Sequence, residues 1–147
     1  MELSRLKRSH KFAGAAGVVL IAVLFLKWYE TNGIGSSGWE SLTYVDIIVF
    51  IAGLAGVAYA LLQALGADAV PPSVVTGLAA LATVLAFYRM AAPPGEASLA
   101  LGPVIAILAG VAEMNGGWLG MREEGEGFAN DPEMSPETGP PRSQSEI

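Results

Sequence analysis

The chain has 147 residues, 52% hydrophobic and 15% charged, with a formal net charge of −6. So apolar a composition belongs to membrane proteins rather than soluble ones. It contains no cysteine, which excludes disulfide frameworks, thiolate metal sites and cysteine nucleophiles, and its acidic balance lacks the concentrated basic surface that nucleic-acid binding needs.

The first eleven residues are basic, with Glu2 set against Arg5, Lys7, Arg8 and Lys11. His10, the single histidine, reads either as a pH sensor or metal ligand or as a solvated terminal residue, and the solvated reading is the expectation. The apolar run that follows leaves through Lys27, Trp28, Tyr29 and Glu30. That exit has no small-x-small pair for a signal peptidase, so the run is expected to stay as a membrane segment with an aromatic anchor at the interface.

Four apolar segments follow one another, residues 12–29, 45–65, 74–92 and 99–119. At 1.5 Å rise each reaches around 30 Å, the thickness of the hydrocarbon layer. They are too long and too continuously apolar for barrel strands, so four transmembrane helices are expected. Tight connections at residues 66–73, with Pro71-Pro72, and at Pro93-Pro94-Gly95-Glu96 make neighbours antiparallel. The predicted fold is an all-α, integral membrane four-helix up-down-up-down bundle over residues 12–121. A disordered acidic tail is expected over residues 122–147, where seven acids meet Arg122 and Arg142. With both termini cytoplasmic, only Lys27 and Arg89 lie outside, which satisfies the positive-inside rule.

The outer loop, residues 30–44, opens on the flexible-looking run TNGIGSSG. Ser37 and Glu40 then form a capping-box pattern, which starts a helix near Gly38. Trp28, Tyr29, Trp39 and Tyr44 are read as an outer aromatic belt and Trp118 as an anchor at the other interface, the rival for the outer four being a substrate-gripping aromatic cage. Asp46, near the start of the second segment, faces Arg89 at the outer rim, with Lys27 as a second candidate partner for an ion pair.

The last segment carries the one acid deep in an apolar stretch, Glu113. On a helical wheel Gly102, Ala106, Ala109, Gly110 and Gly117 fall within roughly 60° of it, while Leu101, Val104, Leu108, Val111 and Trp118 point away. The acid should therefore look into the protein, on the face where small residues let helices approach. In the second segment Ala52, Gly56, Ala60 and Ala64 make a small-residue stripe that Gln63 joins, and a hydrogen bond from Gln63 to Glu113 is the expected polar contact. Without a cation nearby, Glu113 is expected to carry its proton.

No phosphate-binding glycine loop, zinc-protease helix motif or paired carboxylates are present, and the sequence points to no enzyme, metal or cofactor. At Trp28-Tyr29, Gly38-Trp39-Glu40, Tyr88-Arg89, Pro93-Pro94-Gly95 and Gly116-Gly117-Trp118 the chain resembles generally uncharacterised small four-span membrane proteins of high-GC bacteria. The resemblance implies a four-helix fold in the bacterial inner (cytoplasmic) membrane and no particular substrate. Four-helix multidrug antiporters are less similar, since they keep their essential acid in the first helix and residues 12–26 hold none. The leading expectation is a structural or accessory membrane protein, whose partners are the lipid bilayer and a membrane or cytoplasmic protein met through residues 122–147. The alternatives are a small proton-coupled transporter or channel using Glu113 and a sensor using the outer loop.

Overall fold

The computed structural model describes residues 7–129, with side chains as far as residue 125. The elements are α1 (Arg8–Val23), β1 (Lys27–Thr31), β2 (Ile34–Ser37), α2 (Gly38–Ser41), α3 (Val45–Ala64), α4 (Pro72–Ala91), β3 (Ser98–Leu99) and α5 (Gly102–Ala129). Three helices are long and apolar enough to cross a membrane: α3, α4 and the part of α5 from Gly102 to Gly125. By length, α1 falls short of them. Its 16 residues give about 24 Å, and bonds of the tighter i→i+3 type from Leu24 N to Ile21 O, Phe25 N to Ala22 O and Leu26 N to Val23 O extend it by one turn. Residues 28–29, expected to finish that helix, belong instead to a strand.

The four long helices pack in a ring, α1 against α3 and α5, and α4 against the same two. Small residues set the register. The α-carbon of Gly14 faces Ala60 and that of Gly17 faces Gly53; Gly116 sits on the backbone of Ala13; Gly110 and Gly117 sit on Thr83 and Thr76. In each series the numbers rise on one helix as they fall on the other, so these contacting pairs run antiparallel. At the Gly17–Gly53 crossing each glycine faces the other's backbone, and a Cβ at Gly53 would lie 2.7 Å from the Gly17 carbonyl oxygen.

One end of the ring is covered by a three-stranded antiparallel sheet in the order β2-β1-β3. The segment expected to be flexible is an ordered hairpin. Its two loop residues, Asn32 (φ 52°) and Gly33 (φ 81°), both have positive φ, the condition for a type I′ turn, whose twist matches that of paired strands. The register of β1 slips between Lys27 and Tyr29, so Trp28 is an inserted residue and two consecutive aromatics turn inward. The capping box forms as the sequence predicts: Ser37 N–H donates to Glu40 Oε2 at 2.9 Å and α2 begins at Gly38. These hydrogen bonds hold the Glu40 carboxyl below its usual range. After one turn the chain breaks at Thr43, held at φ 56°, and restarts as α3.

At the other end α5 continues through residues 122–129, the first part of the stretch expected to be a disordered tail. Glu123 and Glu124 favour the helix, and Glu123 is held by a hydrogen bond from Ser9 Oγ at 2.6 Å. Residues 130–147 lie outside the described residues, as do residues 1–6.

Candidate functional site

The side chain of Glu113 is completely buried where α1, α3 and α5 meet. The helical wheel accounts for its setting: Gly102, Ala106, Ala109, Gly110 and Gly117 are buried with it, and Leu101, Val104, Leu108, Val111 and Trp118 are exposed. Gly56 lies directly against Oε1, and the same point on Gly56 faces the carbonyl oxygen of Ala13. Neither carboxyl oxygen has a hydrogen-bond partner among the described residues. Gln63 does not supply one. It is seven residues beyond Gly56, about 10 Å further along α3, so the two polar groups sit at different levels and the expected hydrogen bond is not formed.

One turn from this junction lies a polar cluster that sequence reasoning missed. His10 precedes Ala13 by three residues and Tyr59 follows Gly56 by three, and their rings meet with centroids 4.6 Å apart. His10 is only 5% exposed, not solvated, and its Nδ1 is buried without a partner among the described residues. Burial lowers its pKa, and Lys7 adds to that, against the opposing charges of Glu123 and Asp68. The signal was the spacing itself, which places His10 on the same face of α1 as Ala13 and Gly17. No group of three or more histidine, aspartate or glutamate side chains that could hold a metal occurs among the described residues.

At the sheet-covered end, Trp28 and Tyr29 form part of the core, 0% and 1% exposed. The Trp28 indole N–H donates to Val23 O at 2.9 Å, and Gly38 and Gly102 pack on the ring. The Tyr29 hydroxyl donates to Arg89 O at 2.8 Å. Trp39, Tyr44 and Trp118 are exposed, Trp39 lying between Phe25 and Phe50. The structure thus separates the five aromatics into two core residues and three surface residues. Nor does it join the charges expected at the rim: Arg89 Nη2 donates to Leu42 O at 3.2 Å, the buried Asp46 accepts from its neighbour Ile47 N–H at 2.9 Å, and the Lys27 stem lies across Gly35. Asp46 in the first turn of α3 is favoured there by the helix dipole.

Chemically, the Glu113 junction offers one carboxyl in a close-packed apolar setting, with no nucleophile or base hydrogen-bonded to it. No known protein family, curated protein or solved structure matches the chain.

Proposed function

We propose that this is a multi-pass integral membrane protein with a structural or accessory role, crossing the bilayer four times in an up-down-up-down bundle with both termini in the cytoplasm. The observation that carries the role is the close fit at Glu113. A single added carbon on Gly56 would collide with the acid and with the Ala13 backbone, so helix packing occupies the space that a passing ion or substrate would need. In this reading Glu113 is neutral, because a buried carboxyl without a cation gives up its charge, and it fixes the relative positions of three helices.

Support for the membrane setting comes from the three long apolar helices and from the many large apolar side chains on the outside, among them Phe25, Leu108, Val84 and Phe87. The acidic segment from residue 122 onward is the proposed attachment point for a membrane or cytoplasmic partner. Bacterial inner-membrane residence is what the resemblance in sequence suggests.

The carrier alternative draws on the two unpartnered oxygens of Glu113. The two are separated by pH-dependent flux in proteoliposomes. The accessory reading expects no protein-dependent flux, and equal behaviour of the wild type and Glu113→Gln; a flux that Glu113→Gln abolishes would replace it with the carrier.

A further inference from the structure

We propose that the outward-facing groove between α1 and α5 binds one anionic phospholipid, with an acyl chain along the groove and the phosphate at the start of α1. This rests on the membrane reading above. The groove is a hollow of about 330 Å³ lined only by apolar side chains. Ala16 and Ala109 form its floor, and Phe12, Val19, Ile105 and Leu108 stand along its sides. Small side chains flanked by large ones leave a channel one side chain deep, a shape suited to a hydrocarbon chain and to no polar ligand.

Charge at one end selects the headgroup. Arg8 lies one turn before Phe12 on the same face of α1, its guanidinium carbon 5.9 Å from the Phe12 ring centroid. The cation–π contact holds it at the mouth of the groove. The helix itself begins at Arg8 with no side-chain cap on Lys7, so its first N–H groups and the positive end of its dipole add to the same field. Lys7 and Lys11 beside it are exposed. Two acids of α5 reach this level: Glu123 is tied to α1 by the bond from the buried Ser9, and the exposed Glu124 falls on the Tyr59 side of α5, away from the groove. In the proposed topology this end lies in the cytoplasmic leaflet, where anionic lipids are found, and basic pockets between transmembrane helices on that side bind such headgroups.

The test uses the full chain in phosphatidylcholine bilayers carrying spin-labelled phosphatidylglycerol or spin-labelled phosphatidylcholine, and reads the motionally restricted fraction of each. The expected preference for phosphatidylglycerol is about five-fold, the factor that one surface cation supplies. Arg8→Gln should bring the two lipids near parity while the restricted phosphatidylcholine stays constant. Ala112→Phe, which fills the groove from α5, should reduce the restricted fraction of both. Equal binding by the wild type, or a preference that neither variant changes, overturns the lipid site. So does a dimer in the same bilayers that Ala112→Phe dissociates. Failure of the wild type to float with vesicles of either composition would instead defeat the membrane reading, and the site with it.

Discussion

The carboxyl of Glu113 rests on the α-carbon of Gly56, so an apolar glycine in α3 and the one deep acid of α5 fill a single space between them. Gly56→Ala is expected to destabilise the protein by about 1–3 kcal/mol. The new methyl meets Glu113 Oε1 and lies 2.7 Å from the backbone oxygen of Ala13. Glu113→Ala should relieve only the first contact, so a double-mutant cycle in detergent should show partial rescue. Full additivity would mean that the two residues do not touch.

Trp28 and Tyr44 should respond in opposite ways to truncation. Trp28 is fully buried, with its indole bonded to Val23 O, whereas Tyr44 is 77% exposed. Trp28→Ala is expected to cost about 3–5 kcal/mol and Tyr44→Ala less than about 0.5 kcal/mol, read by thermal unfolding in one detergent. Equal small losses would return Trp28 to the role of an interfacial anchor.

His10 is expected to make stability depend on pH. Burial holds its folded-state pKa below the ordinary 6.5, with Lys7 acting in the same direction and Glu123 and Asp68 against it. The unfolded chain therefore binds the proton more readily. The resulting stability is fully present above the unfolded pKa and is lost as pH falls through and below it toward the folded value. Melting from about pH 8 to about pH 5 should show a decline that is smaller in His10→Phe, which keeps a ring against Tyr59. An identical decline in both proteins would assign it to other groups.

Thr43 carries a β-branched side chain at φ 56°, a region that such residues rarely occupy. Asparagine tolerates it better. Thr43→Asn is expected to raise stability by about 0.5–1 kcal/mol, checked by unfolding. A loss would show that the threonine side chain contributes more than its backbone strain costs.

The absence of cysteine makes topology directly testable. With single cysteines at Ile34→Cys and Asp68→Cys, a membrane-impermeant maleimide applied to intact spheroplasts should label the first and leave the second until lysis. The opposite pattern would invert the proposed orientation.

Periodicity made the inward face of α5 legible, because a single straight helix keeps 100° per residue throughout and Glu113 shares its side with Gly102, Ala106 and Gly110. Ser37 and Glu40 were legible for a similar reason, their bonds being local. The burial of Trp28 and Tyr29 was not, since an aromatic pair ending an apolar run reads alike as a helix end at an interface or as a strand entering a core. The Asn32-Gly33 pair was a usable hairpin signal, obscured by its Gly/Ser-rich neighbours. The partner of Glu113 depended on the axial offset between α3 and α5. Contacts such as Gly14 with Ala60 and Gly116 with Ala13 set that offset, and no local pattern encodes it.

The short strand β3 pairs Leu99 and Ser98 with Tyr29 and Glu30, joining the two ends of the helical ring in sequence as well as in space. During synthesis α1 and α3 can meet early, but the groove side of α1 and the pocket around Trp28 wait for the last helix to emerge. Gly102 is the residue that closes over that indole. A nascent chain halted before α5 would therefore present an open flank on α1 and a tryptophan covered by Gly38 but not yet by Gly102, so completion of the last helix is also the step that closes this surface.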